Sequence, residues 1–564
     1  MFIPTTKDEL KALGWKSLDV ILVTGDTYVD SPYIGVAVIG KVLLDAGYRV
    51  GIIAQPDIAG DRDIRRLGEP ALFWGVTSGC MDSVISNYTA TGKKRRQDDL
   101  TGGGVNNRRP DLAVIAYSNL VRRYFKKTRP IVLGGMEASL RRISHYHYPS
   151  DSIRRSILFD AKADILVYGM GERTILELAK RIQDKQPITD VRGICYIAAE
   201  KKEGYIELPP HADAAADPAA FIRMFKGFYG NNDPITANGL CQRQDSRYLI
   251  HNPPQLPLTP AELDRVHELG YERDVHPYYA SWGPVRALET IRFSLTTHRG
   301  CYGECHFCAI SVHQGRTVID RTEASLLREA TTLTARPEFK GTIQDVGGPT
   351  ANMYGIECRR KNKKGACRRK RCLTPKVCDK LTVDHSRQIV LLRKLRKLPG
   401  VKKVFIGSGI RHDLVLQDAD HGLEYLEEII RHHISGQLKL APEHSENEIL
   451  ELMGKPAIEG FIEFKRRFET INRRLKKKQF LTCYFIAAYP GCTLEHMGRL
   501  NRFSREVLKF RPRQVQIFTP SPSTPATLMY TTGKSYDAGK PLFVEKNNRR
   551  KEKQKGKVLD DISG

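Results

Sequence analysis

The segment CYGECHFC, residues 301–308, decides how the second half of this sequence is interpreted. Its cysteines, Cys301, Cys305 and Cys308, are separated by three and two residues, and the segment closely follows the apolar run TIRFSL (290–295). Three thiolates at these spacings can wrap one loop around an iron–sulfur cube and leave its fourth iron without a protein ligand. The segment therefore predicts a metal centre just after a strand.

An iron without a protein ligand can bind a chelating cosubstrate. The amino and carboxylate groups of the methionine part of S-adenosylmethionine (SAM) suit this position, and one electron from a 4Fe–4S cluster can then release a 5′-deoxyadenosyl radical. The alternative is a structural zinc site, for which His298, His306 or His313 would supply the fourth ligand.

Strand-like apolar runs continue through the rest of the chain and alternate with helix-like segments. After TIRFSL come GTIQDVGG (341–348), KKVFIGSG (402–409), GQLKLAPEH (436–444), KQFLTCYFIAAYPG (478–491) and RQVQIFTPSPST (513–524). Six such β/α units predict a partial (β/α)6 barrel over residues 286–535, with its functional loops after the strands. The charged residues 536–564 are expected to form a mobile basic tail.

The first 204 residues show a second α/β series with more strongly apolar runs. The runs are LDVILV (18–23), RVGIIA (49–54), ALFWGV (71–76), LAVIAYS (112–118), PIVLGG (130–135), ADILVYG (163–169) and GICYIA (193–198). Strands this apolar are buried on both faces, so the series predicts a doubly wound parallel sheet. The Pro-rich residues 205–285 lack periodicity and predict an irregular connector.

Seven motifs spread over residues 15–534 point to one family. They are GDTYVDSPYIG, GGMEASLRRISHYHY, ADILVYGMGERT, GGPTANMYG, SGIRHDL, KLAPEH and MYTTGK. Together with the Cys301–Cys308 segment, they resemble the YgiQ-type family of the radical SAM superfamily. The resemblance implies a flavodoxin-like N-terminal domain, a radical SAM barrel and a 4Fe–4S cluster, and it leaves the substrate open.

The same resemblance implies a set of SAM-binding residues. The superfamily motif carries an aromatic residue before its last cysteine, as Phe307 does, and a Gly-Gly-Glu after the next strand. Here Gly347 and Gly348 match the glycines, whereas Pro349 stands in place of the glutamate. Later segments resemble the methylthiotransferase branch, namely SGIR (408–411), LKLAPEHSENEILELMGKP (438–456), AAYPGCT (487–493) and PSPSTPATLMY (520–530). This resemblance would place Ser408, Arg411 and Glu443 near the ribose and carboxylate of SAM.

A second group of cysteines follows soon after Gly348. Cys358, Cys367, Cys372 and Cys378 lie in a basic insertion, residues 355–380, and the stretch from the first to the last contains ten Lys or Arg and no acidic residue. Four thiolates can close a zinc site or hold an additional iron–sulfur cluster, and nearby cations lower thiol pKa values. The spacing predicts a second metal site without choosing between these metals.

Cobalamin domains on flavodoxin-like folds use the motifs D-x-H-x-x-G, S-x-L and G-G. The corresponding positions here read Asp30-Ser-Pro32-Tyr-Ile-Gly35, Ser118-Asn-Leu120 and Gly134-Gly135. Because a proline cannot ligate cobalt, Pro32 excludes the histidine-ligated mode, while binding without that ligand is left open.

Composition and charge complete the prediction. Lys plus Arg number 90 and Asp plus Glu 64, so the formal charge is +26, which favours RNA or another anionic substrate. No apolar run approaches the ~18 residues of a membrane span, so a cytoplasmic enzyme without membrane contact is expected. Its electron donor would be a flavodoxin or ferredoxin. The alternative is a non-catalytic iron–sulfur or zinc protein that binds nucleic acid through the insertion.

Overall fold

The computed structural model describes residues 1–368 and 370–559, and it divides the chain into two compact units. The first unit comprises Met1–Leu258 and Arg265–Arg292, and the second comprises Thr259–Asp264 and the chain from Phe293 onward. The predicted boundary near residue 286 therefore lies close to the observed one, whereas the predicted boundary at residue 204 has no counterpart.

The first unit is built on a nine-stranded sheet. The strands that precede residue 293 are β1 (Val20–Thr24), β2 (Val29–Asp30), β3 (Val50–Ala54), β4 (Phe73–Thr77), β5 (Ile131–Gly134), β6 (His145–His147), β7 (Ser152–Arg154), β8 (Ile165–Val167), β9 (Ile194–Ala198), β10 (Ile206–Leu208), β11 (Leu240–Gln244), β12 (Arg247–His251) and β13 (Asp274–Val275). The α-helices that begin before residue 293 are α1 (Lys7–Ala12), α2 (Gly35–Asp45), α3 (Ser83–Asn87), α4 (Ala113–Tyr124), α5 (Gly135–Leu140), α6 (Ile157–Asp160), α7 (Glu172–Gln183), α8 (His211–Ala216), α9 (Pro218–Gly230), α10 (Pro260–His267), α11 (Pro277–Ala280) and α12 (Leu288–Ile291).

The sheet has a parallel centre with a largely antiparallel extension. The parallel strands lie in the order β3-β1-β4-β5-β8, with Val20 opposite both Val50 and Phe73. The strands β9, β12 and β11 add antiparallel at the β8 edge, and β10 completes the sheet parallel to β11. Every residue of β1 and β3 is buried, as expected for strands covered on both faces.

Two predictions for this unit are wrong. LAVIAYS (112–118) belongs to helix α4, whose buried residues include Ala113, Val114, Tyr117 and Val121. Val114, Tyr117 and Val121 are three and four residues apart, as on one face of a helix. In a short run of apolar residues, periodicity alone does not distinguish a helix from a strand. Residues 205–285 are not an irregular connector either, because they contain β10, β11 and β12 of the main sheet and helices α8 and α9.

The second unit contains shorter sheets. Its strands are β14 (Ser294–Thr296), β15 (His298–Arg299), β16 (Ile319–Asp320), β17 (Thr342–Ile343), β18 (Asp345–Gly347), β19 (Lys403–Val404), β20 (Gln437–Glu443), β21 (Phe480–Ala487) and β22 (Gln514–Ile517). Its α-helices are α13 (Ile310–His313), α14 (Glu323–Thr334), α15 (Arg359–Lys364), α16 (Ser386–Arg396), α17 (His412–Gln417), α18 (Gly422–His432), α19 (Asn447–Met453), α20 (Ile458–Arg474), α21 (Leu494–Phe503), α22 (Pro525–Thr532) and α23 (Asn548–Leu559).

Parallel pairing dominates the second unit. β14 pairs with β18, β17 pairs with β19, and β20, β21 and β22 form a three-stranded sheet, all in parallel register. A further parallel bridge joins Ile410 to Leu440, so that the segment before α17 runs beside β20. Loops after these strands carry most of the predicted site residues.

Helix α20 shows how the second unit builds its core. Phe461, Phe464 and Phe468 are buried on one face, whereas Ile462 on another face is 38% exposed. Spacings of three and four residues place the three rings on one stripe. This helix has 17 residues, and within residues 1–368 and 370–559 no helix is both long and apolar enough to cross a membrane.

The sequence predicts a mobile tail for the basic C-terminal segment, but the structure has a helix there. Residues 548–559 form helix α23, in which Lys551, Gln554 and Val558 are buried. The Gln554 amide accepts a hydrogen bond from the Ala488 backbone at 2.9 Å and donates one to the Cys492 carbonyl at 3.1 Å. The predicted tail continues over residues 560–564, which lie outside the described part of the chain.

Candidate metal and cofactor site

The three predicted cluster cysteines lie in the loop between β15 and α13, and Gly303 shows how closely their sulfurs approach. A Cβ atom at Gly303 would lie 3.3 Å from the Cys301 sulfur and 3.6 Å from the Cys305 sulfur. The Gly303 amide donates a hydrogen bond to the Cys301 sulfur at 3.3 Å, and the Cys308 amide donates to the Cys305 carbonyl at 3.0 Å. The loop thus wraps a small space that a side chain at position 303 would enter.

Burial and the neighbouring cysteines raise the pKa values of Cys301 and Cys308 and so favour their protonated forms. Burial raises the pKa of Cys301 and raises that of Cys308 to about 12, and the neighbouring cysteines add to both shifts. A bound metal reverses this preference because a thiolate ligand is deprotonated. The arrangement therefore suits a metal better than it suits free thiolates.

Arg411 supplies positive charge beside this loop. Its guanidinium Nη1 lies 3.8 Å from the Cys305 sulfur, and its Nε donates to the Asp413 carboxylate at 2.8 Å. The Arg411 amide donates to the Asn352 side-chain oxygen at 2.8 Å, and the Asn352 amide group donates back to the Arg411 carbonyl at 3.0 Å. The cation is thus fixed through its side chain and its backbone.

Glu443 reaches the same region from the end of β20. Its backbone φ is +71°, a left-handed conformation that is rare for a residue other than glycine, and the β20–β21 register shifts between Leu440 and Glu443. Burial raises the Glu443 pKa to about 7, although the Lys455 ammonium lies 3.9 Å from its carboxylate. Glu443 in turn contributes to the raised pKa of Cys308, so its carboxyl group lies within electrostatic range of the cysteine loop.

Gly347 and Gly348, the glycines predicted to bind SAM, pack closely against other groups of the protein. A Cβ atom at Gly348 would lie 2.6 Å from the His298 imidazole, and one at Gly347 would lie 3.1 Å from the Ala351 backbone. The Gly347 carbonyl accepts a hydrogen bond from the Thr297 amide at 2.7 Å. Close packing therefore accounts for both glycines before any ligand is considered.

Ser408 and Phe307 also contact protein groups. The Ser408 hydroxyl donates to the Asp345 carboxylate, which accepts further hydrogen bonds from the Gly407 amide at 2.8 Å and the Ser408 amide at 3.0 Å. The Phe307 ring meets the Tyr489 ring edge to face at 6.4 Å between centroids. Of the predicted SAM residues, Arg411 lies beside the Cys305 sulfur and Glu443 lies within electrostatic range of Cys308, whereas Ser408 and Phe307 have other partners.

The histidines considered as zinc ligands have other contacts. His298 Nδ1 lies 2.8 Å from the Thr297 hydroxyl, and His306 Nδ1 donates to the Leu452 carbonyl at 2.7 Å. The His306 amide donates to the Met453 carbonyl at 2.9 Å, and its carbonyl accepts from the Ala526 amide at 3.0 Å. Within the described residues, the group of three ligand side chains that converges within 4.8 Å is Asp384, Asp418 and His421, which includes no cysteine.

The second cysteine group lies beside the first. Cys358 and Cys372 are buried in an apolar cluster with Tyr302, the residue next to Cys301 in sequence, and Cys378 packs against this cluster. Cys367 is half-buried, and its sulfur accepts a hydrogen bond from the Arg360 guanidinium at 2.7 Å.

Four residues near the first site were not identified in the sequence. They are Thr350, whose hydroxyl lies 3.7 Å from the Cys301 sulfur, and Asn352, Asp413 and Lys455. Thr350 and Asn352 lie within GGPTANMYG, and Asp413 lies within SGIRHDL. The motifs therefore contain three of these four residues, and only the fold shows what each side chain contacts.

The cobalamin-like positions of the first unit do not fit a histidine-ligated cofactor. Position 32 is a buried proline, and the Ser118 hydroxyl donates to the Val114 carbonyl at 2.8 Å inside helix α4. Gly135 has φ +81°, and a Cβ there would lie 2.3 Å from the Thr77 hydroxyl. Binding without a histidine ligand is left open by these contacts.

Comparisons with known proteins agree on one family. The family model described as Radical SAM N-terminal matches residues 2–294. A UPF0313 protein of Fusobacterium nucleatum is 54% identical over 560 residues, covering 99% of both chains, and one of Thermotoga petrophila is 48% identical over 562 residues, covering 99% of this chain and 98% of its own.

A solved structure shares the fold. The cobalamin-dependent SAM radical enzyme OxsB, solved with aqua-cobalamin bound, superposes with a TM-score of 0.50 at 13% sequence identity. The match covers 93% of this chain and 57% of the OxsB chain. An identity this low shows similarity of fold alone.

Proposed function

This chain belongs to the UPF0313 (YgiQ-type) family of radical SAM proteins, and from that membership we propose that its Cys301–Cys308 loop holds a 4Fe–4S cluster with SAM at the open iron. The enzyme class follows from the family, whereas the cluster, the cosubstrate and the substrate are parts of the proposal. The space around Gly303, lined by the sulfurs of Cys301 and Cys305 and by Arg411, is the observation that carries it.

The donor set of this loop fits the proposed cluster. Three half-buried thiols lie on one short loop, so three irons of a cube would have protein ligands and one would not. When bound, the cluster would supply the electron that cleaves SAM and gives a 5′-deoxyadenosyl radical able to remove a substrate hydrogen atom.

The surrounding side chains have roles that follow from their charges. Arg411 offsets the negative charge of metal-bound thiolates, and Asp413 keeps its guanidinium oriented toward Cys305. Glu443, with a pKa of about 7, is a carboxyl group that can accept or donate a hydrogen bond near Cys308. We assign Arg411 and Glu443 to SAM binding, with Phe307, Gly347, Gly348 and Ser408 as the supporting wall.

The strand arrangement supports the finer fold assignments. The order β3-β1-β4-β5-β8 places the first strand between the second and third of the parallel series, which is the flavodoxin-like order. The successive parallel pairs in the second unit support a partial barrel. The proposal places the enzyme in the cytoplasm with a flavodoxin or ferredoxin as electron donor, and RNA or another anionic molecule as substrate in view of the +26 charge.

The test is cleavage of SAM by the full-length protein. After anaerobic reconstitution with iron and sulfide and chemical reduction, the wild type should form 5′-deoxyadenosine, detected by mass spectrometry. Cys301→Ala should form none. Gly303→Ala should lose most of its loop-bound iron because the added methyl group enters the space between the sulfurs.

Gly498→Ala is the matched control for the glycine variant. A Cβ atom at Gly498, in helix α21, would meet only an ordinary contact at 3.9 Å, so this variant should bind iron as the wild type does. Absence of 5′-deoxyadenosine from wild-type protein that has a reduced cluster and bound SAM would contradict the proposal. That result would favour the alternative of a non-catalytic binding protein.

A further inference from the structure

The basic insertion forms a second thiol site that shares a wall with the first. Cys358, Cys372 and Tyr302 belong to one apolar cluster, in which Tyr302 is fully buried, and Cys301 and Cys378 pack against that cluster. Tyr302 directly follows Cys301 in the chain, so the residue that separates the two cysteine groups is part of the first cluster loop. The two sites are therefore neighbours within one unit.

A buried cation in this site lacks a carboxylate partner. Lys361 is 2% exposed, and its ammonium lies 3.4 Å from the Cys372 sulfur and 5.2 Å from the centre of the Tyr302 ring. Its remaining partner in the described part of the chain is the Arg316 carbonyl, so none of its partners is a carboxylate. Burying an ammonium is costly unless negative charge compensates it, and a metal bound by thiolates would supply that charge.

Among the described residues, the sulfurs of the insertion do not form the compact group that a zinc ion requires. A tetrahedral zinc ion with bonds of about 2.3 Å needs its four sulfurs about 3.8 Å apart. Among the described residues, the ligand groups that converge within 4.8 Å include none of these four cysteines. In a 4Fe–4S cluster, each cysteine thiolate binds a different iron, so the cysteine sulfurs lie farther apart than they do around a zinc ion.

We propose that the insertion binds a second 4Fe–4S cluster, ligated at every iron by protein, through Cys358, Cys367, Cys372 and Cys378. Because all its irons have protein ligands, this cluster does not bind SAM. Its role is to pass single electrons to the first cluster, so this role, unlike the site itself, rests on the proposed function. In each transfer the second cluster is oxidised by one electron and the first is reduced by one, and a flavodoxin- or ferredoxin-class donor restores the electron.

Metal analysis of two variants tests the site without an activity assay. We expect about eight irons per anaerobically reconstituted wild-type chain, and about four in each of two variants. One variant removes the first site (Cys301→Ala, Cys305→Ala and Cys308→Ala), and the other removes two ligands of the second (Cys358→Ala and Cys372→Ala). Addition of SAM should change the electron paramagnetic resonance signal only where the first site is intact.

The matched control is Cys483→Ala, which removes a buried thiol of β21 outside both groups and should keep all the iron. A first-site variant that folds, by circular dichroism, and holds one zinc ion or no metal would overturn the inference and leave the proposed function standing. If the second-site variant holds no iron while the first-site variant keeps four, the proposed function fails and this inference stands.

Lys361 gives an independent readout of the second cluster. Removing a buried cation beside a cluster ligand should make the more reduced, more negative state less favourable. Lys361→Gln in the first-site variant should therefore lower the midpoint potential, whereas Lys363→Gln, an exposed change in the same helix, should not. An unchanged potential in Lys361→Gln would overturn the placement of the cluster beside this lysine.

Discussion

Asp320 in β16 is a half-buried carboxyl group with an incomplete set of partners. One of its oxygens accepts a hydrogen bond from the Gly355 amide at 2.9 Å, and the other is buried without a partner among the described residues. Burial raises the Asp320 pKa to about 6, although Arg387 lies 3.4 Å away and opposes the shift. The folded chain therefore holds this proton more tightly than the unfolded chain does.

The raised pKa of Asp320 predicts a pH-dependent stability. The stabilisation from protonated Asp320 is complete below the unfolded pKa and is lost as the pH rises through about 6. The wild type should lose about 1 kcal/mol relative to Asp320→Asn between pH 5 and pH 8. Urea unfolding at both pH values measures this difference. An exposed change, Asp420→Asn, should leave the profile as in the wild type, and equal pH profiles for Asp320→Asn and the wild type would contradict the prediction.

At the level of single residues, the motifs predict which side chains have metal-binding chemistry, but they do not predict which neighbouring groups each side chain contacts. The spacing of Cys301, Cys305 and Cys308 predicts a metal-binding loop because thiolate chemistry is specific to the residue. The motif could not show that the Ser408 hydroxyl is bound to Asp345, since that contact joins residues 63 positions apart.

Helix α20 supports the segment that carries Arg411. The rings of Phe461 and Phe464 lie 5.7 and 6.3 Å from the imidazole of His412, the first residue of α17. Phe464→Ala should lower the free energy of unfolding by about 3–4 kcal/mol, because a buried ring leaves a cavity. Ile462→Ala, on the more exposed face of the same helix, should cost less than about 1 kcal/mol. Comparable losses in the two variants, measured by urea unfolding, would show that α20 does not pack as described.

Strands and helices could be predicted where the buried residues are apolar and follow the pattern of one type of secondary structure. The continuous apolar runs of β1 and β3 predicted buried strands correctly. β11 was missed because Gln242 and Gln244 are buried polar residues, held by hydrogen bonds to Ser144 and Ser156. Helix α23 was missed for a similar reason, since Lys551 and Gln554 are buried through hydrogen bonds rather than apolar contact.

The charge of the whole molecule is +26, and its basic insertion is the site at which we expect an anionic substrate to bind. Lys363 and Lys364 are exposed in α15, and Lys476 and Lys477 are exposed beyond α20. Changing either pair to glutamate alters the charge by the same amount. Replacing Lys363 and Lys364 with glutamate should weaken binding of a single-stranded RNA about tenfold. Replacing Lys476 and Lys477, the control pair, should weaken it about twofold at most.

Fluorescence anisotropy at two salt concentrations distinguishes local binding from general attraction. The salt dependence should become shallower only in the variant that changes the α15 pair, because that variant loses phosphate contacts. Equal losses in both variants would assign binding to net charge and remove the insertion as the binding surface.

The division into units could be predicted only in part. The start of the second unit near residue 293 follows from TIRFSL and the cysteine segment. The first unit continues past residue 204 because three further strands join its sheet, and pairing between distant segments leaves little trace in a single sequence.

His306 connects the cysteine loop to chain segments far downstream, and this has a consequence for biosynthesis. Its backbone and imidazole are held by Leu452 and Met453, and its carbonyl is held by Ala526. A ribosome must therefore complete more than 200 residues after Cys308 before the loop can gain its last backbone contact. The loop accordingly reaches its full set of backbone contacts only after the segments that carry Leu452, Met453 and Ala526 have been synthesised.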